Sequence, residues 1–214
     1  MTLIDDIIEA VRKALEDSPE RSFEESVDLA INLKNVDLTQ PQNRIDEEIL
    51  LPHGRGRPVK IAVFGKGDVA QKAKDAGADY VFDEAEIEAL ADDPPRARNL
   101  ANEVDFFISE TVYMSLIGKT LGRVLGPRGK MPLPLTPDKD VTQLVKRART
   151  AIRVRSKDRP TFHVPIGRRN MDPEMIAENM ESVITRIEQR LDRGTQNIRS
   201  IYVKTTMGPA VKVM

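Results

Sequence analysis

The stretch Val59-Lys60-Ile61-Ala62-Val63-Phe64-Gly65-Lys66-Gly67 marks the start of an α/β unit in this chain. It is a short β-branched run of the kind found in strands that are covered on both faces of a parallel sheet. A helix-compatible stretch follows as far as Ala76, and further short strands are predicted at 80–82 and 105–108, with an acidic helix at 83–91 between them. Strands that alternate with helices predict a parallel, right-handed α/β unit of the Rossmann-like kind.

The segments on either side of this unit have a different periodicity. Apolar residues at helical spacing predict helices, and strict alternation of apolar and polar residues predicts half-buried strands. The predicted outer elements are a helix at 3–15, strands at 27–33, 45–51 and 161–166, a helix at 172–191 and a strand at 201–204.

Neither outer segment contains enough elements to bury a core alone. We therefore predict an α+β two-domain protein. Residues 1–54 and 160–214 form a discontinuous α+β domain I, and residues 55–159 form an inserted Rossmann-like α/β domain II. Residues 52–58, with two prolines, two glycines and two arginines, are predicted to be one connector. A last helix of the insert is predicted at 141–151, before a basic tail.

The composition excludes several classes of protein. The chain has 214 residues, of which 40% are hydrophobic and 4% aromatic, so its cores must be aliphatic. The absence of cysteine excludes disulfides, thiol catalysis and thiolate zinc sites. The two histidines have no companions at ligand spacing, so no metal site is predicted. No apolar run is long enough to span a membrane and the N-terminus is acidic, so we expect a cytoplasmic protein without membrane contact.

The net charge of −1 hides a strong asymmetry along the chain. Residues 1–118 carry 13 basic and 25 acidic side chains, whereas residues 119–169 carry 14 basic and 3 acidic ones. A polyanion responds to the local potential within about 8–10 Å and not to the average over the molecule. The pattern favours a nucleic-acid partner, although a solvated basic helix face is the alternative.

Two glycine-lysine motifs suggest nucleotide binding but fail the required patterns. Gly65-Lys66-Gly67 lacks the third glycine of a dinucleotide loop, so a tight strand-to-helix turn explains it better. Residues 126–130 lack the first glycine of a P-loop, since Val124 stands there, and the hydroxyl residue, since Met131 follows the lysine. No Ser/His/Asp constellation is visible, so we predict no catalytic residues, no cofactor and no enzymatic activity. The competing hypotheses are a nucleotide-binding enzyme built on the α/β unit and a protein adaptor that uses the acidic N-terminal half.

Residues 121–134 contain three glycines, three prolines and three basic residues, which indicate an irregular loop, either ordered or floppy. Within them, Gly122-Arg-Val-Leu-Gly-Pro-Arg-Gly-Lys-Met-Pro132 closely resembles the signature of the universal ribosomal protein L-one family. The absent N-terminal extension and the short tail lead us to expect an archaeal-type member. Five further segments resemble landmarks of this family in the family's order: residues 23–30, 51–54, 76–80, 162–167 and 205–209.

The resemblance implies a two-domain ribosomal protein of the large subunit that is a monomer off the ribosome. In this family, domain I binds large-subunit, 23S-type rRNA at the mobile stalk, and the stalk assists release of deacylated tRNA from the exit site. Several members also bind their own mRNA and repress its translation. The partners implied are therefore rRNA, exit-site tRNA and the protein's own mRNA.

The resemblance also implies which residues contact RNA. A glycine lets the RNA approach the backbone, threonine hydroxyls can reach phosphates or 2′-hydroxyls, and arginines neutralise phosphates. The alternatives are that Phe23 belongs to the core and that residues 207–209 form an ordinary turn. The implied RNA site consists of Phe23, Ser26, Arg168, Arg169, Thr205, Thr206, Met207 and Gly208.

Overall fold

The structure is a computed structural model that describes residues 3–136 and 140–213. The helices and strands follow in chain order as α1 Leu3–Glu16, β1 Ser26–Leu33, β2 Asp46–Leu50, β3 Ile61–Phe64, α2 Asp68–Asp75, β4 Tyr80–Phe82, α3 Glu84–Asp92, α4 Pro94–Glu103, β5 Phe106–Glu110, α5 Met114–Thr120, α6 Gly122–Leu125, β6 Leu133–Leu135, α7 Val141–Thr150, β7 Ala151–Arg155, β8 Thr161–Arg168, α8 Pro173–Arg190, β9 Ile198–Thr205 and β10 Val211–Lys212.

The contacts divide the chain into two compact units. Unit 1 comprises residues 1–57 and 150–214, and unit 2 comprises residues 58–149. The predicted domain boundaries lie at 54/55 and 159/160, whereas the contacts place them at 57/58 and 149/150. The second boundary therefore lies about ten residues earlier in the structure. The reason is that β7 pairs antiparallel with β2 and thereby joins unit 1.

Unit 1 is built on a four-stranded antiparallel sheet of order β10-β9-β1-β8, together with the two-stranded β2-β7 sheet. Alternate residues of β1 are buried because their side chains point to the same face of the sheet. These side chains pack with the apolar faces of α1 and α8 into one core, which is aliphatic except for Phe162. Pro173 occupies the first turn of α8, where its missing N–H costs no hydrogen bond.

The other face of this sheet carries polar and half-buried side chains. Asp28 pairs with Lys204 across β9 and with Pro165 across β8, while Ala30 pairs with Tyr202 and His163. Residues that pair directly across antiparallel strands lie on the same face. Unit 1 therefore presents a polar sheet surface opposite its core.

Unit 2 contains a parallel sheet of order β4-β3-β5-β6. One face buries Phe64 and Phe107 against α3, α4, α5 and α6, and the opposite face buries Ile61 and Val63 against α2 and α7. Coverage of both faces explains why β3 is uniformly apolar, as its sequence predicted. The mixed α/β fold class is confirmed.

The irregular segment and the basic tail are more regular than the sequence indicated. Residues 121–134 include the short helix α6 and reach into β6. The segment expected to be a basic tail begins as strand β7, in which Ile152 and Val154 are buried while the intervening arginine is exposed. These residues alternate with a period of two, so burial of one face stabilises a strand in spite of the charge.

Candidate functional site

The predicted site residues converge at one end of the unit 1 sheet. Strand β1 begins at Ser26, β8 ends at Arg168 and β9 ends at Thr205. The antiparallel register places Ser26 opposite Arg168 and Val27 opposite Thr205. The 23–26 segment (Phe23 to Ser26) and the 205–208 turn (Thr205 to Gly208) are therefore neighbours.

Hydrogen bonds connect the 205–208 turn to Ser26, the first residue of β1. The Ser26 amide donates to Thr206 Oγ1 over 3.1 Å, and the same hydroxyl donates to the Ser26 carbonyl over 3.4 Å. Beside this link, Met207 is 59% exposed, and Phe23 in the neighbouring segment is 50% exposed. The alternative that Phe23 belongs to the core is therefore excluded. Two large apolar side chains thus face solvent near exposed hydroxyl groups.

Thr205 and Gly208 lie beneath the surface, which corrects the roles expected for them. Thr205 is fully buried, and its hydroxyl donates to Ser18 Oγ over 2.8 Å and accepts from the Gly208 amide over 3.0 Å. A Cβ atom at Gly208 would lie 2.3 Å from Thr205 Oγ1 and 3.1 Å from Ser18 Cβ. Glycine is required here by internal packing, and the Thr205 hydroxyl is engaged inside the protein.

Arg169 is also used internally. Its Nη1 atom donates to Glu25 Oε2 over 3.0 Å and to the Pro19 carbonyl over 2.8 Å, and its Nη2 atom donates to the Ser18 carbonyl over 2.8 Å. These contacts give Arg169 an internal role, and neutralisation of RNA phosphate by this arginine stays a prediction. Its guanidinium forms an ion pair with a buried carboxylate and donates hydrogen bonds to the backbone carbonyls of Ser18 and Pro19.

Arg168 is also paired, and its side chain is 25% exposed, against 28% for Arg169. Its Nη1 atom forms an ion pair with Glu24 Oε2. Its Nε atom is buried and has no hydrogen-bond partner within 3–136 and 140–213. The two consecutive glutamates of the 23–26 segment therefore each bind one of the two arginines predicted to contact RNA.

Glu25 is a fully buried carboxylate at the centre of this arrangement. Its Oε1 atom accepts from the Met207 amide over 2.8 Å, and its Oε2 atom accepts from Ser18 Oγ over 2.8 Å and from Arg169. Burial raises the pKa of Glu25, but the hydrogen bonds from Met207, Ser18 and Arg169 and the arginine charge outweigh it, so the pKa lies below its usual range. The carboxylate is therefore ionised at neutral pH. We call Ser18, Glu25, Arg169 and Thr205 the polar clamp.

Ser18 and Glu25 were not among the residues predicted for the site. A signal for Glu25 exists in the sequence, because it is in phase with Val27, Leu29 and Ile31, whose side chains form the buried face of β1. An acidic residue on the apolar phase of a strand indicates a buried partner. Ser18 has no comparable signal, since a serine before proline at a helix end is common.

The polar sheet surface next to the turn contains titratable groups. Asp28 is half-buried; burial raises its pKa above the ordinary value, while the charges of His163 and Lys204 act in the opposite direction. Farther along the strand, Asn32 Nδ2 donates to Ser200 Oγ over 2.9 Å, and Asn32 Oδ1 accepts from Thr161 Oγ1 over 2.7 Å. These neighbours continue the polar surface away from the 205–208 turn.

The turn after β3 offers no place for a nucleotide phosphate. The carboxyl edge of a parallel sheet is where such folds bind anions. Here Glu110 Oε1 accepts from the Lys66 amide over 3.0 Å, and it would lie 2.9 Å from a Cβ atom at Gly65. A carboxylate of the protein already occupies the anion position, which argues against the nucleotide-enzyme hypothesis.

The lysine and arginine of residues 126–130 bind protein atoms. Lys130 Nζ donates to the carbonyls of Ala101 and Val104 over 2.9 and 2.7 Å, at the C-terminal end of α4. Arg128 Nε donates to Asn102 Oδ1 over 3.0 Å. A cation at a helix C-terminus is favoured by the helix dipole. This part of the family-like signature therefore holds unit 2 together.

Other kinds of site find no support in the part of the chain that the structure describes. No group of three histidine or acidic side chains in residues 3–136 and 140–213 is arranged to hold a metal ion. Of the two histidines, His53 contacts Glu178 through Nε2 at 2.6 Å, and His163 is exposed. No helix within those ranges combines the length and the apolar character needed to cross a membrane.

Comparison with known proteins gives a consistent result over nearly the whole chain. A family model described as the ribosomal protein L1p/L10e family matches residues 13–209. The large ribosomal subunit protein uL1 of Methanocella arvoryzae is 62% identical over 207 residues, which cover 97% of each chain. The protein of the same name from Methanothrix thermoacetophila is 60% identical over 98% of this chain and 99% of its own, and that from Thermoplasma acidophilum is 51% identical over 98% and 96%.

Proposed function

Since the chain belongs to the ribosomal protein L1p/L10e family, we propose that it is a structural component of the large ribosomal subunit that binds large-subunit rRNA in the cytoplasm. It is an archaeal-type member, and it is not an enzyme, because the family is one of structural ribosomal proteins. Both points agree with the expectations from the sequence.

The proposed RNA site is the exposed part of the sheet end described above. The observation that carries it is Met207, an exposed apolar side chain on a turn that hydrogen bonds hold from both sides. Exposed apolar groups on a rigid support are typical of contact surfaces. Phe23 provides a second such group, and Thr206 provides a hydroxyl between Met207 and β1.

These groups suit the non-phosphate parts of a folded RNA. An aromatic ring such as that of Phe23 can stack on an unpaired base, and Met207 can pack against ribose or a base face. The Thr206 hydroxyl and the Ser26 hydroxyl can exchange hydrogen bonds with 2′-hydroxyls, which distinguish RNA from DNA. Arg168 can contribute a phosphate contact if it leaves Glu24. The RNA-contacting set is therefore Phe23, Ser26, Arg168, Thr206 and Met207, while Thr205, Gly208 and Arg169 support it from inside.

The finer parts of the function are proposals that the resemblance to the family supports. We propose that the rRNA target is the mobile stalk, that the protein assists release of deacylated tRNA from the exit site, and that it represses translation by binding its own mRNA. We also propose that it is a monomer off the ribosome. Sedimentation of the free protein tests the monomer, and a reporter fused to its own mRNA leader tests repression.

The direct test of rRNA binding is a filter-binding titration of the full chain against archaeal large-subunit rRNA. Small-subunit rRNA of matched length serves as the control for non-specific phosphate binding, which depends on salt and not on sequence. We expect at least about a thousandfold preference for the large-subunit RNA at physiological salt. Equal affinity for both RNAs would contradict the proposal.

A further inference from the structure

We propose that Glu25 is a positioning residue for RNA recognition: it sets the conformation of the 205–208 turn and acts on RNA through Met207, without touching the RNA itself. The proposal rests on the proposed function, because it concerns the same site. Residue type and charge alone would not suggest a positioning role for this buried carboxylate or for its partner Arg169.

The two oxygens of Glu25 connect three separate segments of the chain. Oε1 accepts from the Met207 amide over 2.8 Å. Oε2 accepts from Ser18 Oγ over 2.8 Å, next to the end of α1, and from Arg169 Nη1 over 3.0 Å, just after β8. A shift of this carboxylate therefore shifts the backbone from which Met207 projects.

A second set of hydrogen bonds holds the other side of the same turn. Ser18 Oγ accepts from the Thr205 hydroxyl over 2.8 Å, and that oxygen accepts from the Gly208 amide over 3.0 Å. Both amides that flank the Met207 side chain are thus bound to the polar clamp. An apolar contact residue needs such support, because misplacement by about 1 Å is enough to spoil a preorganised site.

The clamp works only with an ionised carboxylate. Glu25 is fully buried, and a buried charge requires paired donors around it. Its neighbours are all donors: the Met207 amide, the Ser18 hydroxyl and the Arg169 guanidinium. A glutamine at this position has one acceptor oxygen and one donor nitrogen. Its nitrogen would therefore face either the Met207 amide or Arg169, and one side of the clamp would open.

A positioning role differs measurably from a phosphate contact and from a general effect on stability. Loss of a phosphate contact reduces the slope of log affinity against log salt by about one unit. Loss of positioning lowers affinity equally at all salt concentrations. Because Glu25 acts through Met207, removal of the Met207 side chain should also remove most of the effect of changing Glu25, which a double-mutant cycle detects.

The experiment is a double-mutant cycle in the full chain with Glu25→Gln, Met207→Ala and the combined variant, measured as affinity for archaeal large-subunit rRNA over a range of salt. We expect Glu25→Gln to weaken binding about tenfold with an unchanged salt slope, and to weaken it less than about threefold in the Met207→Ala background. Glu47→Gln is the matched control, since Glu47 in β2 also forms ion pairs with arginine, here Arg186 and Arg190, but lies outside the clamp. It should bind RNA like the wild type.

If the Glu25→Gln variant does not fold, Ser18→Ala tests the same proposal. This substitution removes the hydroxyl that connects Glu25 to Thr205 without removing a charge. It should show the same coupling to Met207→Ala. Wild-type affinity of a folded Glu25→Gln or Ser18→Ala variant would overturn the proposal, and so would an equal loss in both backgrounds. Failure of the proposed function is distinct, because the wild-type chain itself would then show no preference for large-subunit rRNA.

Discussion

At the scale of single residues, the two arginines expected to attract RNA are already neutralised by the protein. Arg168 is paired with Glu24, and Arg169 with the buried Glu25. An exposed ion pair contributes little stability, about 0–1 kcal/mol, whereas a buried pair is costly to break from one side. Arg168 can therefore exchange its partner for a phosphate, but Arg169 cannot do so without opening the clamp.

The exchange at Arg168 predicts the effect of Glu24→Gln. Removal of the competing carboxylate frees the guanidinium, so we expect RNA affinity to increase severalfold and the salt slope to steepen by about one unit. Filter binding at several salt concentrations measures both quantities. The control is Arg168→Ala in the same background, which should abolish the gain. Unchanged affinity and slope in Glu24→Gln would mean that Arg168 does not contact phosphate.

The contact between Gly208 and Thr205 predicts that Gly208→Ala destabilises the protein. The added methyl group would lie 2.3 Å from Thr205 Oγ1, so overpacking should lower the free energy of unfolding by about 1–3 kcal/mol. Urea unfolding measures this change. Gly118→Ala is the matched control, because a Cβ atom there meets nothing within 4 Å and alanine favours the helix. If Gly208→Ala is as stable as the control, Gly208 does not pack against Thr205 and Ser18 in this way.

At the scale of elements, β7 is the strand whose assignment decides where domain I ends. Its inner side chains Ile152 and Val154 are 1% and 0% exposed, and they belong to the hydrophobic core of unit 1 next to β2. On the outer side, Arg153 Nε donates to Asp46 Oδ1 over 2.8 Å, and Arg155 lies 3.2 Å from the same carboxyl group. The strand thus belongs to the folded body of unit 1.

Two shortened proteins test this assignment. One joins residues 1–57 to 150–214 by a flexible linker and keeps β7; the other joins 1–54 to 160–214 and lacks it. Because the shorter protein exposes the core under β2, we expect it to be less stable by about 3 kcal/mol or more. Urea unfolding of both proteins checks this. Equal stability would show that β7 is dispensable and would favour the domain boundary expected from the sequence.

Elements with a clear apolar pattern, either alternating or continuous, could be predicted from the sequence, and those without one could not. The alternation in 27–33 predicted β1, and the β-branched run before Gly65 predicted β3. By contrast, α6 lies between glycines, and β6 contains a proline and only three residues, so neither has enough residues to show a period. Local propensity fails there because packing against the rest of unit 2 stabilises the elements.

The residues of the candidate site were predicted only from the resemblance to the family. The resemblance named residues that the fold brings together at one end of the sheet, but it could not distinguish exposed Met207 from buried Thr205 within one turn. Both lie in a short polar segment after a strand, and only the hydrogen bonds to Ser18 and Glu25 separate their roles. Such partners are more than a hundred residues away in sequence, so no local pattern reveals them.

At the scale of the whole molecule, the concentration of positive charge in residues 119–169 is a weaker sign of RNA binding than the sequence indicated. Many of these cations bind carbonyl oxygens or carboxylates of the protein, and a cation that is already paired adds little to the external potential. The residues with such partners include Arg128, Lys130, Arg149, Arg153, Arg155, Arg168 and Arg169. Shape and apolar contact should therefore contribute more to recognition than net charge does.

The most direct test of the RNA site is the affinity of Met207→Asp for large-subunit rRNA, with thermal melts as the folding control. Met207 is 59% exposed, so the substitution should leave the melting temperature almost unchanged. A carboxylate at this position would meet RNA phosphates and lose the apolar contact, so specific binding should be abolished. If Met207→Asp melts normally and binds with wild-type affinity, the 205–208 turn does not contact RNA and the proposed site is wrong.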